Sequence, residues 1–93
     1  MNKSELESLR EEIDQIDSEI VKLLNLRVSK ACKIGKIKKL SGVDPYDPAR
    51  EEQVFEKLTG YSEGPLREGS LRTVYREIIS ASIALEKDMV IGY

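Results

Sequence analysis

The chain has 93 residues, of which 34% are charged and 5% aromatic, with one Cys, no His and no Trp; it is long enough for one domain and reads as solvated helix rather than β-sandwich. Fifteen basic against seventeen acidic residues leave a net charge of −2, so no global positive field exists to hold nucleic acid, and any anion site is local. A single Cys excludes an internal disulfide, the lack of His removes the usual zinc sets, and no apolar run approaches a membrane span.

In chain order, the N-terminal MNKSELESLREE is too polar for a secretory leader, and the expectation is a cytoplasmic protein. Ser4, with Glu7 three positions on, makes a capping box that opens one long helix from about residue 4 to residue 40. Ser41-Gly42 is a fitting stop. At 1.5 Å per residue this helix is about 55 Å long, whereas a compact globule of this size is only about 30 Å across. Its apolar stripe runs Leu9, Ile13, Ile16, Ile20, Leu23, and resumes at Ile34 and Ile37. Such a stripe overhangs any monomer; an intertwined homodimer built along the helix covers it, with a long coiled coil as the alternative. Cys32 on this helix reads as a small packing residue, since no His is present to activate a thiol.

Asp44-Pro45 and Asp47-Pro48 each join a turn former to proline. Asp47 suits an N-cap and Pro48 a first helical residue, opening a second helix to about Leu58. Gly60 to Pro65 is a loop, and a third helix runs from about Leu66 to Met89 on a core stripe of Leu71, Val74, Ile78, Ala81 and Leu85. The expected fold is all-α: three helices, long, short and long, in an intertwined homodimer, with residues 1–93 as a single domain.

The two stripe positions between Leu23 and Ile34 are Arg27 and Lys30. An unpaired charge on a buried seam costs several kcal/mol, on the order of 3–5. Lys38 lies eleven residues after Arg27, about 20° away around the helix, with Ala31 and Ile34 between them on one face. Arg27 and Lys38 therefore either make a pocket for something small and anionic, or snorkel and pair with acids of another helix. Arg10 is about 100° around from Arg27, so it reads as a solvated residue or as a group reaching the pocket of a partner subunit. On the second helix, Glu51 shares a face with Val54, Phe55 and Leu58; it is either a site residue or a first-turn acid favoured by the helix dipole. On the third, Ser82 and Glu86 lie one turn apart beside Tyr75 and Ile79. A serine there can also bond back to its own helix.

The chain resembles the all-helical, AroQ-type chorismate mutases across essentially its whole length. The resemblance rests on Leu9-Arg10-Glu11-Glu12-Ile13-Asp14-Gln15-Ile16-Asp17, Leu23-Leu24-Asn25-Leu26-Arg27 and Ile34-Gly35-Lys36-Ile37-Lys38, then on Asp47-Pro48-Ala49-Arg50-Glu51 and Ile78-Ile79-Ser80-Ala81-Ser82-Ile83. It implies a stand-alone enzyme that rearranges chorismate to prephenate, a step towards phenylalanine and tyrosine, without metal or cofactor. Isochorismate pyruvate lyases share the fold and are the nearest alternative; a non-catalytic helical dimerisation module is the other. By the same resemblance, Arg27 and the Arg10 of the partner subunit clamp the substrate's two carboxylates with help from Ser82. Lys38 and Glu86 face the ether oxygen, Glu51 with Asp47 takes the ring hydroxyl, and Arg50 supports the site. Many bacterial relatives carry Gln where this chain has Glu86. A glutamine donates a hydrogen bond at any pH, whereas Glu86 donates only when protonated.

Overall fold

The computed structural model describes residues 4–44 and 47–90, with side chains described through Glu86. Pro45 and Tyr46 of the expected Asp44-Pro45 turn lie outside the described residues. Helices α1 (Glu5–Leu40), α2 (Pro48–Tyr61) and α3 (Glu68–Val90) account for the described secondary structure, with no strand among those residues.

Each terminus that the sequence marked carries its cap. The Ser4 hydroxyl accepts the Glu7 N–H at 3.0 Å, removing one orphan donor of α1. At the other end the Ser41 N–H is shared between the Ile37 and Lys38 carbonyls, and Gly42 takes φ 74°. That left-handed turn lets the Val43 N–H reach back to the Lys38 carbonyl at 2.8 Å, a conformation in which a Cβ is penalised. Asp47 precedes α2 with φ −137° and ψ 83° and accepts the Arg50 N–H at 3.0 Å, with Pro48 at the first helical position.

α2 runs three residues past the expected Leu58, through Gly60 to Tyr61, where the Ser62 N–H closes on the Leu58 carbonyl. The Thr59 hydroxyl holds the carboxylate of Glu68 at 3.1 Å, and Glu68 in turn pairs with Arg72 at 3.5 Å. This ties the end of α2 to the start of α3, which opens at Glu68 rather than Leu66.

α3 packs against both α1 and α2. Phe55, Leu58 and Ile79 form the buried apolar core, flanked by Val54, Leu71, Tyr75 and Ile83; burial of a side chain of this kind contributes at most about 1.5–3 kcal/mol. The Arg72 guanidinium covers the Phe55 ring at 5.3 Å from its centroid. The inward face of α3 is not the expected one. Val74, Ala81 and Leu85 are exposed, while Ile79, Ser82 and Glu86 are buried and Leu71, Tyr75 and Ile78 half-buried. α3 carries two neighbouring apolar stripes, and the one turned to the other helices ends in polar residues.

The molecule is a rod of 62 × 31 × 14 Å with a radius of gyration of 17.2 Å, against about 12 Å for a compact chain of this length. The N-terminal half of α1 projects from the rest, and its stripe residues Leu9, Ile13, Ile16, Ile20 and Leu23 are 46–62% exposed. Further along, Cys32 and Gly35 are the buried positions of α1. A glycine inside a helix forfeits about 1 kcal/mol relative to alanine, so Gly35 marks a place where the neighbouring helix needs the space.

Candidate active site

The three helices border an open cavity of ≈ 270 Å³ where the middle of α1, the start of α2 and the second half of α3 meet; small-molecule sites run upward from about 300 Å³. α1 lines it with Arg27, Lys30, Ala31, Ile34 and Lys38. Asp47, Arg50, Glu51 and Val54 enter from the α2 side, and Ile79, Ser82, Ile83 and Glu86 from α3. Seven of the eight residues singled out from the sequence thus converge: Arg27, Lys38, Asp47, Arg50, Glu51, Ser82 and Glu86. Arg10 does not; it is exposed on the projecting half of α1, about 25 Å along the helix from Arg27.

The two α1 cations differ in their partners. Lys38 Nζ stands 3.5 Å from Asp47 Oδ2, so the pairing with an acid that the sequence left open exists for this residue. The other oxygen of Asp47 caps α2. Donation by the Arg50 N–H, together with the charges of Lys38 and Arg50, holds the Asp47 carboxyl below its ordinary range. Arg27 is half-buried and lies over the Tyr75 ring, 5.7 Å from its centroid, with no carboxylate at ion-pair distance among the described residues. A guanidinium placed over an aromatic face, with no acid beside it, keeps N–H donors available for a carboxylate.

Ser82 is 3% exposed, and its hydroxyl donates to the Ile78 carbonyl at 2.9 Å. The local bond that the sequence allowed is therefore made, and in this rotamer the hydroxyl meets a ligand only as an acceptor. Glu86 is 9% exposed. Burial raises its pKa above the ordinary glutamate value, against the opposing charges of Lys38 and Arg27. Glu51 is half-buried and Arg50 exposed at the rim.

Two features escaped the sequence reading. Lys30 lines the cavity as a further cation; its signal was its place in the interrupted stripe, one turn after Arg27. Gly35 is in contact with Glu86: a Cβ at residue 35 would stand 3.3 Å from Glu86 Cγ and 3.5 Å from both Cβ and Cδ. No group of three or more potential metal ligands occurs among the described residues.

Chemically, the cavity offers several cations over an apolar floor of Ala31, Ile34, Val54 and Ile79, with one buried carboxyl among them. That set suits a small dianion with a partly apolar body. The chain belongs to the type II chorismate mutase family, whose model matches residues 9–87.

Among curated relatives it is 42% identical to the bifunctional chorismate mutase/prephenate dehydratase of Aquifex aeolicus, over 96% of this chain and 26% of that protein. The corresponding bifunctional protein of Neisseria gonorrhoeae is 38% identical over 90% of this chain and 23% of its own length. The chain therefore spans about a quarter of the length of these relatives. Among solved structures it resembles the chorismate mutase of Helicobacter pylori in complex with prephenate, with a TM-score of 0.89, 31% identity and coverage of 98% of this chain and 99% of that one. The form II structure of chorismate mutase from Thermus thermophilus gives a TM-score of 0.88 at 34% identity, covering 90% of this chain and 96% of that chain.

Proposed function

We propose that this chain, as one domain over residues 1–93, converts chorismate to prephenate by an intramolecular Claisen rearrangement. The observation that carries the proposal is the convergence of Arg27, Lys38 and Glu86 from two helices on one cavity, in a chain whose Helicobacter pylori neighbour was solved with prephenate.

The reaction breaks the ether C–O bond of the enolpyruvyl arm and forms a C–C bond to the ring within one molecule, so it requires neither nucleophile nor net proton transfer. Two effects accelerate it. Holding the flexible arm over the ring removes the orientational entropy barrier. Fixed positive charge and hydrogen-bond donation stabilise the negative charge that develops on the ether oxygen. In this reading Arg27 binds one substrate carboxylate through its bidentate fork, and Lys38 directs its ammonium to the ether oxygen. Protonated Glu86 donates a second hydrogen bond to that oxygen. Glu51, with Asp47, accepts from the ring hydroxyl; Arg50 supports this end. Ser82 assists a carboxylate after turning its hydroxyl away from Ile78.

The second carboxylate is taken by Arg10 of the partner subunit in an intertwined homodimer. The uncovered stripe from Leu9 to Leu23 supports that assembly, because an apolar surface of this length is unfavourable in water. A relative 42% identical over 66% of this chain is named an intracellular chorismate mutase in Mycobacterium tuberculosis, which supports a cytoplasmic setting.

Purified protein supplied separately with chorismate and isochorismate tests the proposal. Conversion of chorismate to prephenate is the expected result. Release of pyruvate from isochorismate without mutase turnover would make it a lyase, and saturable binding of neither substrate would make it an interaction module.

A further inference from the structure

Gly35 lies inside the longest helix of the molecule, buried, between Ile34 and Lys36 along the chain. Glycine is the poorest helix former after proline, and nothing about the course of α1 requires it, because the residue sits in an unbroken helix. What its missing side chain does is visible across the interface with α3. The three atoms nearest to a Cβ placed on residue 35 all belong to Glu86: Cγ at 3.3 Å, Cβ at 3.5 Å and Cδ at 3.5 Å. The stem of Glu86 therefore rests on the bare face of α1 at Gly35. Ile34 and Lys38, which flank this point on α1, line the same cavity as the Glu86 side chain.

We propose that Gly35 is a positioning residue: its bare Cα seats the Glu86 stem against α1 and so sets where the Glu86 carboxyl stands in the cavity. This rests on the role given above to Glu86. A methyl at residue 35 must be met by movement of Glu86, since the contact lies below the usual van der Waals range. The stem is flexible enough to yield by a few tenths of an ångström, so Gly35→Ala folds. Its cost falls on the aim of the carboxyl, to which a catalytic hydrogen bond is sensitive at that scale.

The test compares the full chain with Gly35→Ala, Glu86→Ala and the double variant, measuring kcat, KM for chorismate and the thermal midpoint of each. Gly35→Ala is expected to lower kcat about tenfold with KM within about twofold, because the misplaced group acts in the transition state rather than in binding. Its thermal midpoint stays level or rises, as alanine favours the helix. In the Glu86→Ala background Cγ and Cδ are gone, so adding Gly35→Ala changes kcat by less than about twofold; that non-additivity is the mark of one residue acting through another.

Equal falls in kcat in both backgrounds, or wild-type kcat in Gly35→Ala, would overturn the inference. So would a lowered melting point with unchanged turnover per folded site, which makes Gly35 a packing residue only. Wild-type turnover in Glu86→Ala refutes the role of Glu86 itself, and the inference with it. A large loss in Glu86→Ala beside a silent Gly35→Ala refutes the inference alone.

Discussion

Removing the Lys38 ammonium should separate catalysis from folding. Lys38 points into the cavity with 23% of its side chain exposed, so its charge acts through a medium closer to an effective dielectric constant of about 20 than to bulk water. At that value two unit charges 4 Å apart interact by about 4 kcal/mol. The ether oxygen gathers only part of a charge, which places the loss in Lys38→Ala near the lower end of the range for a preorganised donor, about 2.7–4 kcal/mol or 10²- to 10³-fold in kcat. Folding should scarcely register the change. The Lys38–Asp47 pair is partly solvated at 3.5 Å, and pairs of that kind add little to stability. Asp47 also retains its α2 cap through the other oxygen. The variant should show unchanged circular dichroism and an almost unchanged melting temperature while turnover of chorismate collapses. If Lys38→Ala, folded by these measures, turns over within about fivefold of wild type, well under the loss expected for such a donor, the ammonium does not face the developing charge. Its role is then the pairing with Asp47.

Glu86 gives a pH signature. Its pKa is raised by burial against the opposing charges of Lys38 and Arg27; Asp47, Arg50 and Glu51 also face the cavity from α2. The donating form is the protonated one, so kcat/KM should be highest in mild acid and fall as pH rises through the raised pKa. Glu86→Gln should flatten the profile, and a level wild-type profile that the substitution leaves unchanged would remove Glu86 from the chemistry. Arg27→Lys should lower kcat/KM by about tenfold or more, because a point charge replaces neither the bidentate fork nor the stack on Tyr75; wild-type kinetics in this variant would refute the clamp. Sedimentation at micromolar concentration should show a dimer, and a compact folded monomer would exclude the assembly. Mixed and refolded Arg10→Ala and Arg27→Ala chains should recover about a quarter of wild-type activity, since random pairing makes half the dimers mixed and each has one intact site. No recovery above the two parents would place Arg10 outside the partner's site.

The helix boundaries were legible wherever a side chain performs the capping that its type suggests: Ser4, Ser41-Gly42 and Asp47-Pro48 all stand at observed ends. α2 ran on through Gly60 because its end is set by contacts with α3, through Thr59 and Glu68, which lie outside any local pattern. The site was legible because charge interrupts an apolar stripe at Arg27 and resumes at Lys38, and a helix projects residues eleven apart to nearly the same side. The inner face of α3 was not. A rule that turns apolar residues inward selects Val74 and Leu85, which are half-exposed, over Ser82 and Glu86, which are buried. Within the single subunit the cavity turns polar residues inward, so apolar periodicity alone does not select them. Gly35 signalled a close approach by standing inside a helix, but a missing side chain does not say what approaches it.

Asp47 divides its two oxygens between the first turn of α2 and the ammonium on α1. The opening of a helix and the restraint of a cation are thereby joined in one carboxylate, so fraying of that turn also frees the lysine, whereas release of the lysine leaves the turn capped. Amide exchange at Arg50, whose N–H this carboxylate accepts, would report on that fraying. A ligand that draws the ammonium towards itself leaves the cap oxygen in place, so the scaffold need not loosen when the cavity fills. Replacing the aspartate, by contrast, disturbs both at once, and a loss of turnover in such a variant would describe the start of a helix as much as the handling of a substrate.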